Sequence, residues 1–379
     1  MLNIKRIKST IERNLLQFHG WRTNRKIVIF ESDDWGAMRT PTKIALTSLE
    51  KHGIEISRCH YMMYDSLADE DDLNYLFELL AKHRDHTNNH PVITANSLTA
   101  NPDFEKIRSG NYKKYYYEHF TETLKRYPKH ANSFAIWKQG IEVGVFHPQS
   151  HGREHLNISK WMHDLQNANK ETRLAFDLGI FGLSAHITKV KRGSYLAAYD
   201  GAGEELKYDR KIIIDEALKQ FKETFGYPSL SFIAPNYIWD EEVENCLQNG
   251  GVKYIQGSRT QRISRRINDP LQVKRHYLGE KNNVGQHYLV RNAYFEPSSQ
   301  PDKDWVNYCL NEIKTAFRYR KPAIIGTHRV NYIGHIDPEN RDRNLKLLDH
   351  LITAIQKKWP DVEFLSSDKL GEIISNQQN

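Results

Sequence analysis

Short apolar segments rich in β-branched residues alternate with amphipathic segments along most of this 379-residue chain. The apolar runs have the length and composition of buried strands, whereas the segments between them repeat apolar residues every three or four positions, as helices do. Strands that alternate with helices favour an α/β fold with a parallel sheet. About seven such units over roughly 350 residues favour a (β/α) barrel over an open sheet. The predicted strands are residues 26–32, 91–96, 141–146, 229–235, 251–257, 287–292, 323–327 and 362–367.

Two segments fall outside this alternation. Residues 97–140 are dense in Tyr, Lys and Arg, and we expect them to form an insertion over the barrel mouth, the end at which the strands terminate. Residues 1–25 place apolar side chains on one helical face and are predicted to form an N-terminal amphipathic helix that packs on the core. The alternative is a helix that lies on a membrane surface and makes peripheral contact with lipid. The barrel, insertion included, is expected to span residues 26–375.

Charge and cysteine content limit the kinds of partner that the protein can bind and the cellular compartment in which we expect it. Lys and Arg number 54 against 47 Asp and Glu, a mild basic bias that suits an anionic substrate but not a nucleic-acid partner. Three widely spaced cysteines without a CxxC pair argue against a disulfide framework or a zinc knuckle. No apolar run approaches the ~18 residues of a transmembrane helix, and the N-terminus lacks the apolar core of a secretory signal. We therefore expect a cytoplasmic protein without a transmembrane span.

Side chains that bind metals or transfer protons follow several predicted strands. β/α barrels carry their active sites at the carboxyl ends of their strands, so these side chains are expected to converge at the barrel mouth. They are Asp33 and Asp34, His147 and His151, Asn236 and Tyr237, and His328.

The spacing of His147 and His151 predicts a metal site. On a helical turn two residues four apart face the same side, and two imidazoles with the Asp34 carboxylate would leave coordination positions open for catalysis. His155, four residues further along, is a rival ligand. One divalent ion is expected, with zinc as the first choice.

Asp33 and His328 are left for proton transfer. Asp33 is expected to act as a general base towards an attacking water, and His328 as a general acid towards the leaving group. This combination predicts a metal-dependent hydrolase.

The motifs resemble those of the polysaccharide deacetylases, which are the NodB-homology or carbohydrate esterase 4 family, and in particular a bacterial branch linked to surface-polysaccharide synthesis. That family has a deformed (β/α) barrel, which the resemblance implies for this chain. The matching segments occur in the family's order and span most of the predicted barrel. They are ESDDWG (31–36), HPQSHGREHLN (147–157), SFIAPNY (231–237) and IIGTH (324–328).

The resemblance implies a role for each matched residue. Asp33 would be the catalytic base and His328 the general acid. Asp34, His147 and His151 would hold the metal. Trp35, Arg153, Asn236 and Tyr237 are expected to contact the substrate, and a backbone N–H near Tyr237 to help bind the oxyanion.

Several positions depart from the family pattern. Trp35 separates the two aspartates from Gly36, Ile233 and Ala234 replace an Arg and a Pro of the third motif, and no fourth motif is recognised. Ile233 stands where the family has an arginine that orients the base, and the expected replacements are Arg153, Arg259 and Arg329.

The resemblance implies an N-deacetylase that acts on an N-acyl amino sugar. The predicted substrate is a nucleotide- or lipid-linked intermediate of surface-polysaccharide biosynthesis, because no secretory signal is seen. The alternatives are a non-catalytic glycan-binding barrel and an O-acyl esterase on the same metal site. Basic residues of the 97–140 segment are candidates for binding the diphosphate, and a solvated basic face explains them equally well. They are Lys113, Lys114, Lys125 and Arg126.

Overall fold

The computed structural model describes residues 17–184, 187, 195–201, 206, 208–263, 270 and 272–378. Most of the predicted N-terminal helix, residues 1–16, lies outside them. Residues 17–25 form turns and extended chain, so the prediction of a helix is wrong for that part.

The described strands differ from the predicted ones chiefly in their bounds. They are β1 (Lys26–Trp35), β2 (Ile93–Leu98), β3 (Ala100–Pro102), β4 (Tyr117–His119), β5 (Phe146–Gly152), β6 (Ser231–Ile233), β7 (Tyr254–Gly257), β8 (Thr260–Ile263), β9 (Gln272–Arg275), β10 (His287–Val290), β11 (Ala293–Tyr294), β12 (Ala323–His328) and β13 (Val362–Phe364).

The helices occupy the connections between strands, as the alternation predicts. They are α1 (Lys43–Lys51), α2 (His60–Tyr64), α3 (Glu70–Ala81), α4 (Phe104–Ser109), α5 (Phe120–Lys125), α6 (Ser133–Val143), α7 (Ile158–Gln166), α8 (Lys170–Asp177), α9 (Arg210–Phe225), α10 (Glu241–Asn249), α11 (Trp305–Arg318), α12 (Pro338–Lys358) and α13 (Ser367–Gln378), with 3₁₀ turns at Pro128–His130, Pro235–Tyr237 and Arg329–Asn331.

One curled parallel sheet forms the centre of the fold. Its strands run in the order β10–β7–β6–β5–β2–β1–β12–β11, and β13 pairs with the first residues of β1. The backbone of the segment that joins β10 to β11 hydrogen-bonds to both ends of the sheet. Arg291 N–H donates to the carbonyl of Gly257 (2.8 Å), and Asn292 N–H donates to that of Ile324 (3.1 Å). The predicted deformed (β/α) barrel is confirmed.

The third central strand begins later than the sequence predicts. The helix α6 runs to Val143, and Gly144 ends it in the left-handed conformation (φ 83°). The strand predicted at 141–146 is therefore wrong in position, and β5 occupies Phe146–Gly152. As a consequence, His147 lies at the beginning of β5 and His151 near its mouth end.

The 97–140 segment combines the antiparallel pair β3–β4 with the helices α4 to α6. Its tyrosines serve mainly in packing. Tyr115, 6% exposed, belongs to an apolar cluster with Trp161 and Phe176. Lys125 pairs with Glu122, and Arg126 pairs with Glu118. Ion pairing therefore disfavours these two cations as a handle for a substrate diphosphate.

Trp35 belongs to the core and does not contact the site. Its side chain is 1% exposed, its indole N–H donates to the Ser32 hydroxyl (2.9 Å), and its ring makes edge contacts with Trp137 and Phe146. The prediction that Trp35 binds substrate is therefore wrong. A tryptophan that follows two aspartates at the mouth can point outward from the barrel and fill the layer between sheet and helices.

Truncation of Trp35 should affect stability and leave substrate binding unchanged. Trp35→Ala is expected to lower the free energy of unfolding by about 3–5 kcal/mol, since it removes a fully buried aromatic ring. Trp35→Phe should cost less and retain wild-type metal content and KM. Denaturant unfolding, elemental analysis and steady-state kinetics check both variants. A raised KM in Trp35→Phe at wild-type stability would restore the substrate-binding role.

Candidate metal centre and catalytic residues

The end of β1 brings two consecutive aspartates to one cavity. In a regular strand Asp33 and Asp34 would point to opposite faces. Asp34 instead adopts the left-handed conformation (φ 73°), and the pairing of β1 with β2 shifts register between Ser32 and Trp35. Such irregularities redirect side chains at the ends of barrel strands. Both carboxylates line a cavity of about 460 Å³ at the barrel mouth.

Asp34 forms a buried cluster with two histidines. The Nε2 atoms of His151 and His155 each lie 3.4 Å from Asp34 Oδ1. One ligand atom from each residue falls within 4.8 Å of the others. Two imidazoles and one carboxylate are a common ligand set for a catalytic divalent ion.

The hydrogen bonding of the cluster fits a cation. His151 Nδ1–H donates to the Ile233 carbonyl (2.8 Å), which directs the lone pair of Nε2 into the cluster. Asp34 Oδ1 and His151 Nε2 are buried and have no hydrogen-bond partner. Burial lowers the pKa of His155 to about 3, so its imidazole is neutral, as a ligand must be. A divalent ion would satisfy these polar atoms.

Arg39 holds the other oxygen of the Asp34 carboxylate. Its Nη2 donates to Asp34 Oδ2 (3.1 Å), its Nε lies 3.2 Å from Asp65 Oδ2, and its guanidinium stacks on the Tyr61 ring. Burial opposes ionisation of Asp34, but Arg39, His155 and His151 together outweigh burial and keep the pKa of Asp34 well below its usual value. Asp34 therefore presents Oδ1 to the cluster as an ionised carboxylate.

The predicted ligand His147 is not part of this cluster. Its Nε2 lies 3.2 Å from Asp368 Oδ1, and its ring stacks on Tyr227. Residues four apart face one side of a helix, but in the strand that actually forms here they are separated by about 13 Å. The same four-residue spacing recurs at His151 and His155, where the chain turns after β5, so His155 replaces His147 as the candidate ligand.

Arg291 fixes the candidate base. Its Nη1 and Nη2 donate to the two oxygens of Asp33 (2.7 and 2.6 Å), and its Nε donates to Glu31 (2.7 Å). Asn96 also donates to Asp33 Oδ1 (2.7 Å). Burial raises the pKa of Asp33, but Arg291 overcomes this effect and leaves the pKa below its usual value. Asp33 is thus ionised and held in one orientation.

The three predicted partners of the base are engaged elsewhere. Arg329 donates to Asp65 (2.8 Å) and to the Ala37 carbonyl, and Arg259 borders a different cavity. Arg153 is 5% exposed and pairs with Glu154 (2.7 Å). All three predictions are wrong, and Arg153 is also unsuited to contact substrate. The strand-end rule could have identified Arg291, since it follows the apolar run HYLV.

His328 is positioned as a proton donor by Glu296. Glu296 Oε1 lies 2.5 Å from Nδ1 of His328, and Nε2 on the other side of the ring lies 3.6 Å from Asp33 Oδ2. Burial alone would lower the pKa of His328, but Glu296 and the two aspartates raise it to about 9. His328 therefore carries a proton at neutral pH. Glu296 follows the two-residue strand β11 and is not among the residues predicted from the sequence.

Asn236 and Tyr237 also line the cavity, as predicted, although substrate contact stays a prediction. Both have positive φ (56°), a strained conformation for residues with a side chain. The Tyr237 hydroxyl accepts a hydrogen bond from Arg291 (3.1 Å). Its backbone N–H donates to the Ala234 carbonyl (3.0 Å), so the N–H of Tyr237 itself is engaged, and an oxyanion donor near Tyr237 stays a prediction.

No protein-family model and no curated protein matches the sequence. None of the helices in the described part of the chain is both long and apolar enough to cross a bilayer.

Solved structures match the fold over nearly the whole chain. One is described as a polysaccharide deacetylase from Mycobacterium smegmatis (12% identity, 95% of this chain and 94% of that chain, TM-score 0.45). Another is an allantoinase (11% identity, 93% and 91%, TM-score 0.45). A third is a carbohydrate esterase 4 pseudoenzyme from Bacillus anthracis (9% identity, 92% and 66%, TM-score 0.39). The family that the sequence motifs resemble is thus represented among these structures. Because the identities are low, the activity of this chain has to be argued from its own residues.

The cluster predicts which histidines hold the metal. His151→Ala and His155→Ala should each lose most bound metal on dialysis, because each removes one of three protein ligands. His147→Ala is the matched control and should retain it. Elemental analysis of the three purified variants decides the assignment. Metal loss in His147→Ala, with retention in His155→Ala, would reverse it.

The contact between Glu296 and His328 predicts that replacing Glu296 lowers the pKa of His328. Glu296→Gln removes the charge that most raises the pKa of His328 and keeps an oxygen opposite Nδ1–H. His328 should then lose its proton at lower pH, and the alkaline limb of the pH profile of kcat should move down by roughly one unit or more. NMR titration of His328 gives a second readout, with the exposed Glu78→Gln as control. An unmoved pKa of His328 would contradict the role of Glu296.

Proposed function

We propose that this protein is a metal-dependent hydrolase that removes an acyl group, most simply acetyl, from an N-acyl amino sugar. The observation that carries the proposal is the convergence of three units on one cavity. The units are the Asp34–His151–His155 cluster, the Asp33–Arg291 pair and the His328–Glu296 pair.

The cavity separates the chemical roles by environment. A divalent cation at the cluster, with zinc the first choice, would supply Lewis-acid polarisation of the acyl carbonyl and lower the pKa of a coordinated water. Asp33, which Arg291 keeps ionised, accepts a proton from the attacking water. His328, which Glu296 keeps protonated, donates a proton to the departing nitrogen.

The protonation state of His328 favours an amide substrate over an ester. An amine leaves poorly unless its nitrogen is protonated, so amide hydrolysis depends strongly on a general acid that is charged at neutral pH. His328, with a pKa of about 9, meets that requirement. The sugar part of the proposal depends on the resemblance of the four sequence motifs to polysaccharide deacetylases.

The paired charges also favour an enzyme over a glycan-binding barrel. The Arg291–Asp33 pair also has a structural role, so the discriminating feature is the His328–Glu296 pair beside Asp33. It places a protonated imidazole next to an ionised carboxylate, an acid and a base that hydrolysis uses and glycan binding does not.

The two adjacent aspartates give the test. Asp33→Asn should keep its metal and lose about 10²–10⁴-fold in kcat, because it removes only the general base. Asp34→Asn should lose the metal itself. Amine release from N-acetylglucosamine and its oligomers, together with elemental analysis, measures both quantities. Equal metal loss in the two variants, or full activity of Asp33→Asn, would defeat the proposal.

A further inference from the structure

A basic hairpin borders the catalytic cavity. Strands β8 and β9 form an antiparallel pair, and Arg262 on β8 lines the same cavity as Asp33 and Asp34. The backbone of Arg262 is fixed to the segment that carries Asn236 and Tyr237, because its carbonyl accepts a hydrogen bond from Trp239 N–H (3.1 Å). Arg262 therefore lies at the cavity and is held there by a β-strand.

The composition of the hairpin is strongly one-sided. Residues 258–275 contain six Lys and Arg but one acidic residue, in a chain whose overall bias is mild. In the described part of this segment, Arg262, Lys274 and Arg275 are exposed. These three exposed cations therefore lie on the strand pair that borders the cavity.

Arg262 differs from the other arginines near the centre. Arg39 is bound by Asp34 and Asp65, and Arg291 by Asp33 and Glu31. Arg262 pairs with no carboxylate among the described residues. A substrate that fills the cavity would remove water from this guanidinium, and that loss is unfavourable unless the substrate brings an anion.

We infer that the substrate is a phosphorylated N-acyl amino sugar and that Arg262 binds its phosphate. The inference rests on the proposed function and adds a substrate class to it. A guanidinium matches phosphate oxygens with two parallel hydrogen bonds. Arg275, which pairs with Thr260, lies on the same face of the hairpin as Arg262. The phosphate serves as a remote handle whose binding energy orients the N-acyl group over the cluster.

A binding experiment tests the inference without turnover. Glucosamine 1-phosphate and glucosamine have the amine of a product and cannot be deacylated. Calorimetry should show that the wild type prefers the phosphorylated sugar, and that Arg262→Gln weakens its binding about 10–100-fold. The binding of glucosamine should not change. Arg84→Gln is the control. Arg84 is exposed in the connection that precedes β2, and its replacement changes the net charge by the same amount as Arg262→Gln. This variant should bind both sugars like the wild type.

Kinetics separate this inference from the proposed function. The wild type should deacylate N-acetylglucosamine 1-phosphate with a higher kcat/KM than N-acetylglucosamine, and Arg262→Gln should remove that preference while retaining its metal. If neither sugar is hydrolysed but Arg262-dependent phosphate binding persists, the proposed function fails, and with it the N-acyl sugar as substrate, while the assignment of Arg262 as a phosphate-binding residue stands. If both sugars are hydrolysed and bound equally, or Arg262→Gln changes nothing, the inference fails and the proposed function stands.

The carrier of the phosphate is distinguished by two further ligands. UDP-glucosamine represents a nucleotide diphosphate, and a short-chain prenyl diphosphate glucosamine represents a lipid diphosphate. If one of these ligands binds more tightly than glucosamine 1-phosphate, and the gain is lost in Arg262→Gln, that ligand identifies whether the phosphate belongs to a nucleotide or to a lipid. A single-stranded DNA oligonucleotide is the counter-probe. If it binds more tightly than every phosphorylated sugar at ~150 mM salt, the hairpin is a nucleic-acid surface and the inference is overturned.

Discussion

The fully buried guanidinium of Arg291 joins the architecture of this barrel to its chemistry. Arg291 lies where the segment from β10 to β11 connects the two ends of the sheet, and its donors reach two carboxylates on β1, Glu31 and Asp33. Removing one partner of such a buried network costs about 3–5 kcal/mol, because a charge is left without compensation. Arg291 therefore contributes to both features, to the connection between the sheet ends through its backbone and to the ionisation of the candidate base through its side chain.

The metal cluster rests on a second network of charges. Asp34 faces the two histidines with one oxygen and Arg39 with the other, and Arg39 is held in turn by Asp65. Asp65 also accepts a hydrogen bond from Arg329, which comes directly after His328, the last residue of β12. Metal ligands supported in this way have one orientation and need little reorganisation when a cation binds. Asp33 and Asp34, adjacent in sequence, thus belong to separate networks, which lets one remain free as a base.

The sequence predicts the barrel and most of the cavity because alternation and strand-end position are local properties. Asp33, Asp34, His151 and His328 lie at the cavity for this reason. His147 was misplaced because the apolar run 141–146 includes the end of α6, which displaced the predicted strand and put a helical spacing on residues that are extended. The partner of Asp33 depends on how the two ends of the sheet meet, a tertiary property that the local pattern around Arg153, Arg259 or Arg329 does not contain.

The distribution of charge inside the cavity explains how neighbouring groups can hold opposite protonation states. Asp33 Oδ2 and His328 Nε2 are 3.6 Å apart, and each is biased by a separate partner, Arg291 for the carboxylate and Glu296 for the imidazole. The resulting anion and cation stabilise each other, so the base and the acid are both ready before substrate arrives. These pairs leave the inner part of the cavity internally compensated. Arg262, without a carboxylate partner among the described residues, is then the group whose charge the substrate itself must balance.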